Sequence, residues 1–341
     1  MRFPAAARIK NRWASLTQHG IILMYHRISD ISPGSDPWGL CVSPSHFEEH
    51  LKILKSLTRP IKLRELTKSL NDRRFGRRRV IVTFDDGYAD NAAVAKPLLE
   101  KYEIPATFFI ISGAVDRQKE FWWDELERII LLPSRLPQAF EVTIANSTYS
   151  WKITPEAGQG SFSYSAVTQL PEMGVFVSRH QLYLSLWKIL SDLSPLEKEE
   201  ALNRIAQWAG QAAVPRRTHL PLTSKELLSL AACRLCEVGA HTVTHPRLSS
   251  LPQAEQEKEI AQSKRSLEEM IDQTIFSFSY PHGDQSEQTL KLVERAKFQQ
   301  ACVVLAKAVR RKTNPFLLPR FTVFNWGGEE FERNIRQWSG C

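Results

Sequence analysis

No uninterrupted apolar run in the 341 residues approaches the length of roughly 18–20 that crosses a bilayer, so no transmembrane helix is expected. Cysteine is scarce: Cys41, Cys233, Cys236, Cys302 and Cys341 make an odd set of five without framework spacing. That excludes a cystine-stapled scaffold and suits a reducing compartment. Cys233 and Cys236 have the two-residue spacing of zinc and redox sites, but no second pair accompanies them, and they read as packing. There is no internal repeat and no low-complexity tract, which excludes solenoid and fibrous classes. Residues 1–12 lack any acid and carry Arg2, Arg8, Lys10 and Arg12, yet no apolar stretch follows of the kind a cleavable leader needs. The expected location is cytoplasmic, or peripheral to the inner membrane.

What is present is ordinary for a globular chain: 43% hydrophobic and 24% charged residues, enough for one large α/β domain or two smaller ones. A formal charge of +8 favours anionic partners. The cations gather at the N-terminal arm, at Arg73, Arg74, Arg77, Arg78 and Arg79, and at Lys307, Arg310, Arg311 and Lys312. No nucleic-acid-reading module is recognisable, so no nucleic-acid partner is expected. The cations read as solvated surface, or as a peripheral contact to an anionic membrane.

Chemistry concentrates in two stretches. Val80-Ile81-Val82-Thr83-Phe84 has the unbroken apolar character of a parallel strand buried on both faces, and it ends in Asp85-Asp86-Gly87. Strand neighbours point to opposite sides, so both acids can serve one site only if Gly87 turns the backbone. The alternative is an Asp-Gly turn with both carboxylates solvated. The second stretch carries His241 and His245, which at i and i+4 share one face of a helical turn. Two imidazoles and a carboxylate form a facial set that leaves positions open for water and substrate.

Around these stretches strands and helices alternate. Ser43 is placed to cap a helix with Phe47, Leu51, Leu54 and Leu57 on one face, and His46 and His50 on it read as surface or packing residues. Asp90 and Asn91 read as a helix cap, Phe140 to Ile153 as a hairpin around Asn146-Ser147, and His180 to Trp208 as helix broken at Ser194-Pro195. Gly158 to Tyr164 reads as loose and polar, and the Glu and Lys positions of Ala254 to Ile271 as a solvated helix face. In the loop Ser29 to Val42, Trp38 is a candidate to stack on a sugar ring; the alternative is a core tryptophan.

Thr83 to Gly87 and His241 to His245, followed by Ser279-Tyr280-Pro281-His282-Gly283, resemble the motifs of the polysaccharide deacetylase family, the chitooligosaccharide deacetylase-like carbohydrate esterases. Tyr25-His26-Arg27, after the apolar Ile21 to Met24, is similar to the opening of the circularly permuted subgroup that deacetylates poly-N-acetylglucosamine. The resemblance implies a distorted, incomplete (β/α) TIM-like barrel of about seven parallel strands, built from residues 20–120 and 222–341. The resemblance leaves the middle of the chain unexplained; from the residues themselves, 1–19 read as a basic arm and 121–221, too long for a plain connection, as a long, mostly helical insertion covering the barrel mouth. The resemblance further implies a metal-dependent hydrolase removing N-acetyl groups from amino sugars of a polysaccharide, oligosaccharide or glycolipid.

By motif position, Asp86, His241 and His245 would hold one divalent ion, zinc first, with iron, cobalt or nickel also suiting the donors. Asp85 would be the general base and His26 the general acid. The backbone N–H of His282 would receive the oxyanion, with Tyr280 beside it. The family's arginine in the third motif is replaced by Ser279; Arg320, a cation inside an apolar strand, is the candidate tether for Asp85. The same groups would suit a deformylase or deacylase on a lipid-linked amino sugar. A catalytically silent glycan-binding or membrane-docked scaffold is the reading from another class.

Overall fold

The computed structural model describes residues 18–30, 35–70, 79–154, 170–212 and 214–339. Most of the basic arm, the cations at 73–78 and the polar stretch 158–164 lie outside the described residues. The chain divides into two compact units, one of Met1–Asp30, Cys41–Asp116 and Leu222–Cys341, the other of Ile31–Leu40 and Arg117–Pro221.

In the first unit seven parallel strands close into a barrel. They are β1 (Gln18–Tyr25), β2 (Arg79–Phe84), β3 (Ala106–Ile110), β4 (Cys236–Ala240), β5 (Ser277–Ser279), β6 (Gln300–Val304) and β7 (Leu318–Thr322). Each pairs with the next in sequence, and β1 closes the ring, with Leu23 opposite both Val82 of β2 and Phe321 of β7. The ring therefore has no open edge, although it holds one strand fewer than a full eightfold barrel.

Alternation along the strands sorts the core. Leu23, Val80, Val82, Phe84, Phe108 and Ile110 belong to the cluster shared with the surrounding helices. Ile22, Ile81, Phe109, Cys302 and Leu318 form a separate cluster with Leu63, Leu66 and Leu70, from the helix Leu63–Ser69 and its C-cap. Gly239 of β4 is required here, because a Cβ on it would lie 2.5 Å from the Phe109 ring. Two residues beyond Ile81 and Leu318, on the same side of their strands, stand Thr83 and Arg320. The fill thus turns from apolar to polar towards the C-terminal strand ends, where parallel barrels carry their sites.

Ser43 caps the helix Pro44–Leu57, its hydroxyl accepting from the His46 N–H at 3.3 Å. His50 on that helix is fully buried. Its Nε2–H donates to the Trp326 carbonyl at 2.8 Å, its Nδ1 accepts from the Tyr25 hydroxyl at 3.2 Å, and its ring stacks on Phe331 of the helix Gly328–Ser339 at 3.8 Å. Burial holds its pKa down at about 4, against an ordinary 6.5, despite the opposing pull of the Trp326 carbonyl. The unfolded chain binds a proton near 6.5 that the folded chain refuses until about 4, so this contribution to stability is complete above the upper value and declines as the pH falls between them. We expect wild-type protein to lose on the order of 2 kcal/mol more than His50→Gln between pH 7 and pH 5 in denaturant titrations. Identical losses would contradict the neutral, buried imidazole.

The second unit packs the helices Trp122–Ile130, Arg179–Ser191 and Pro195–Ala209 against a small sheet. That sheet is the hairpin Ala139–Ile144 and Ser147–Ile153 with the short strand Phe176–Val177 added in parallel. Ala145 and Asn146 take φ of 46° and 66°, the left-handed pair of a two-residue hairpin turn. Ser194 and Pro195 start a new helix through a capping box, which explains the break.

Candidate metal and catalytic centre

The acidic tip of β2 is aimed by two left-handed residues. Asp86 itself adopts φ 74° and Gly87 φ 83°, so the turn falls on the acid as well as on the glycine. Asp tolerates that region better than most side chains. A Cβ on Gly87 would also press on Ile110 at 3.0 Å. The Asp85 N–H donates to the Tyr25 carbonyl at 3.0 Å, which sets the ends of β1 and β2 side by side.

His241 and His245 follow β4, but not on a helical turn. Residues 241–246 form an irregular loop in which Thr242 and His245 take φ of 63° and 62°. Thr242 stabilises it by accepting from the His245 N–H at 3.0 Å. The imidazoles still converge, with ring centroids 4.8 Å apart. Asp86 Oδ1 lies 3.5 Å from His241 Nε2 and 3.6 Å from His245 Nε2. These separations exceed ordinary N–H···O hydrogen bonds of about 2.7–3.2 Å. They approach the roughly 3.4 Å expected between tetrahedral ligands bonded at about 2.0–2.1 Å. The ligand atoms of Asp86, His241 and His245 all lie within 4.8 Å of one another. His241 Nδ1–H donates to the Ser279 carbonyl at 2.7 Å, which fixes the tautomer and frees Nε2, the arrangement usual for a metal-binding histidine. The donors present therefore fit a divalent ion.

Asp85 is engaged differently. Arg320 grips it bidentately, NH1 to Oδ1 and NH2 to Oδ2, both at 2.7 Å, and both groups are buried. The guanidinium also donates to Thr83 Oγ1 at 3.2 Å and Ser279 Oγ at 2.9 Å, and lies 5.5 Å above the Phe109 ring. Ser279 Oγ donates in turn to Asp85 Oδ2 at 3.2 Å. Burial works to raise the Asp85 pKa, but Arg320, His241 and His26 outweigh it and hold the carboxyl at about 2. Asp85 is thus charged throughout the neutral range, and 3.9 Å separates its Oδ2 from His241 Nε2. Burial opposes an imidazolium at His241, yet Asp85 and Asp86 raise its pKa above the ordinary value. The pocket favours a cation.

The remaining candidates divide. The His282 ring packs edge-on to His245 at 4.6 Å, and its backbone is left-handed at φ 58°. His26 follows β1 directly, half-buried, with its carbonyl accepting from Asn91 Nδ2 at 2.8 Å. Asp90, read as a cap, instead pairs with Arg27 at 3.1 Å and accepts from the Ile28 N–H at 3.1 Å. Asp90 and Asn91 therefore fasten the segment after His26, and the helix beyond them opens with a π turn, Asn91–Ala95. Tyr280 is fully buried, its ring edge-on to Phe278 in the core. Trp38 belongs to the second unit, where its indole N–H donates to the Tyr183 hydroxyl at 2.7 Å and its rings tilt against Trp187. Ser279, read only as a missing arginine, holds Asp85, Arg320 and His241 together. Nothing in its local sequence signals this, because the partners lie 194, 41 and 38 positions away.

A second group of possible ligands, Asp124, Glu127 and His219, lies in the second unit. Arg216 lies beside it, donating to the Asp124 backbone carbonyl at 2.8 Å, to the Glu127 carboxylate at 3.4 Å and to Glu120. Its cation meets the charge demand of the acids. No helix among the described residues is long and apolar enough to cross a membrane.

A family model described as polysaccharide deacetylase matches residues 72–169 and 199–301. YxkH of Bacillus subtilis (strain 168) is 23% identical over 307 residues, covering 89% of this chain and 70% of that protein. The poly-beta-1,6-N-acetyl-D-glucosamine N-deacetylase of Staphylococcus aureus (strain MSSA476) is 40% identical over 78 residues, 23% of this chain and 27% of that protein. Among solved structures, the Streptococcus pyogenes deacetylase PplD in complex with acetate superposes with a TM-score of 0.58 at 18% identity, over 92% of this chain and 97% of that one. At that identity the likeness is one of fold.

Proposed function

The chain belongs to the polysaccharide deacetylase family, and from that premise we propose that it is a metal-dependent hydrolase that removes N-acetyl groups from amino sugars of a polysaccharide, oligosaccharide or glycolipid. The observation that carries the reading is the division of labour between adjacent acids. Both Asp85 oxygens are held by Arg320, while Asp86 Oδ1 faces two imidazoles. Asp86, His241 and His245 would hold the ion, with zinc the best match to two imidazoles and a carboxylate, and iron, cobalt and nickel accepted by the same donors. Such an ion supplies Lewis acidity, polarising a carbonyl oxygen and bringing the ionisation of water towards neutral pH.

The protein's own groups do the rest. Asp85, kept charged and oriented by Arg320 and Ser279, accepts the proton of the attacking water. The backbone N–H of His282 donates to the oxygen of the tetrahedral species as charge develops there. His26, beside the acid at the end of β1, returns a proton to the departing amine. The intact bidentate pair and the intact ligand set speak against a silent scaffold.

The test of function is incubation with N-acetylglucosamine oligomers and N-acetylated glycolipids, with metal added, followed by mass spectrometry. Loss of acetyl supports the reading, and recovery of every substrate intact would sink it. The acid has its own test. His26→Gln is expected to slow amide hydrolysis about 10²–10⁴-fold, yet to leave 4-nitrophenyl acetate hydrolysis near wild type, because that leaving group needs no proton. Equal losses on both substrates would remove His26 from the role.

A further inference from the structure

The helix Gln253–Ile271 carries Glu259 on what reads as a solvated face. In the structure its carboxylate is fully committed. Oε2 accepts the N–H groups of Val243 and Thr244 at 2.8 and 2.9 Å, and Oε1 accepts the Thr244 hydroxyl at 2.8 Å. Val243 lies midway between His241 and His245 in sequence. The same loop is held from a second side, where the Ser112 and Gly113 N–H groups donate to the carbonyls of Thr242 and Val243 at 3.1 and 3.0 Å.

The loop needs such restraint. Two of its non-glycine residues, Thr242 and His245, are left-handed, a conformation costing each roughly 1–2 kcal/mol. Successive backbone N–H groups turned to one side also form an anion-binding concavity, and Glu259 fills it. A carboxylate bound to two charge-assisted amides is a stronger fastening than a neutral pair would give. Released, the loop can relax out of the left-handed conformations, and the imidazoles at its two ends lose their common focus.

We propose that Glu259 is a positioning residue for the metal centre, clamping the loop between His241 and His245 so that both imidazoles are preset before an ion arrives. The proposal rests on the reading of Asp86, His241 and His245 as ligands. Mutation of groups that orient ligands typically costs about 10–100-fold in metal affinity. Glu259→Gln keeps the shape and one acceptor oxygen but loses the charge, and Glu259→Ala loses the clamp.

The experiment is cobalt(II) binding to metal-free protein, by competition with a chromophoric chelator, in wild type, both Glu259 variants and His241→Ala. The visible cobalt spectrum is recorded at saturation, and melting of the metal-free proteins reports folding. Expected are about tenfold weaker binding in Glu259→Gln and up to about 100-fold in Glu259→Ala, with altered cobalt absorption in both. A role confined to fold stability would lower melting alone. Should the alanine variant not fold, the isosteric glutamine variant carries the test. Folded Glu259 variants that bind cobalt like wild type, while His241→Ala does not, overturn the clamp alone. Wild type that binds no cobalt overturns the ligand assignment and the clamp with it.

Discussion

Asp85→Asn should retain its metal and lose its hydrolysis. The asparagine amide cannot take a proton from water, and general-base contributions of this kind run to about 10²–10⁴-fold in rate. Metal binding should survive, because Asp85 offers no oxygen to the cluster: Arg320 holds both at 2.7 Å. The substitution has a second consequence. It turns a bidentate ion pair into a single amide contact and leaves the fully buried Arg320 charge uncompensated, and breaking one side of a buried pair typically costs about 3–5 kcal/mol. Thr83 Oγ1 and Ser279 Oγ remain as partners for the guanidinium, so part of that cost is met. Asp85→Asn should therefore fold with a lower melting temperature, carry metal in wild-type stoichiometry, and release acetate at a small fraction of the normal rate. Elemental analysis and an acetate assay on one preparation check all of this. Normal hydrolysis would show that some other group deprotonates the water.

His241→Ala should fail in both respects. It removes one of three ligand atoms and cuts the bond from Nδ1 to the Ser279 carbonyl, the residue that also supports Asp85 and Arg320. The electrostatic contribution of a catalytic ion amounts to several kcal/mol, so at 1.36 kcal/mol per decade the rate should fall about 10³-fold or more. Metal content should drop with it. The two variants are informative together, because the account separates holding the ion from moving the proton, and each substitution removes a different part. Were His241→Ala to keep its metal, the ion would be bound elsewhere.

Much of this was visible in the sequence, and the reasons are local. Val80 to Phe84 can only be a buried strand, and a motif at its end falls on the rim where parallel strands deliver side chains. Arg320 stood out because a cation inside Leu318 to Phe324 has to find a counter-charge. Ser43 and the Ser194-Pro195 break were legible because capping depends on residues three apart. What escaped depends on distance. Ser279 and Glu259 are unremarkable among their neighbours, and their importance comes from partners that the barrel brings round from other strands and loops. His50 shows the same limit: the sequence leaves it a surface or packing residue, and nothing in its spacing marks it as the link between the Tyr25 hydroxyl and the Trp326 carbonyl.

Other readings went astray for definite physical reasons. Spacing of i and i+4 suggested a helical turn for His241 and His245, whereas the loop reaches the same convergence through left-handed Thr242 and His245. Asp90 does stand at the N-cap position, but its carboxylate makes no cap bond and pairs instead with the buried guanidinium of Arg27. For Trp38, open between a sugar platform and a core tryptophan, the contacts with Tyr183 and Trp187 are those of the second. Tyr280 follows Ser279 just past the end of β5 in extended backbone, so with the serine turned to Asp85 the tyrosine turns to the core beside Phe278.

The most direct test of the central claim is metal titration of acetate release. Protein stripped with a chelator and returned to N-acetylglucosamine oligomers should be inactive, and activity should recover to a plateau at one zinc or cobalt ion per chain. Full activity in the stripped protein would contradict the account.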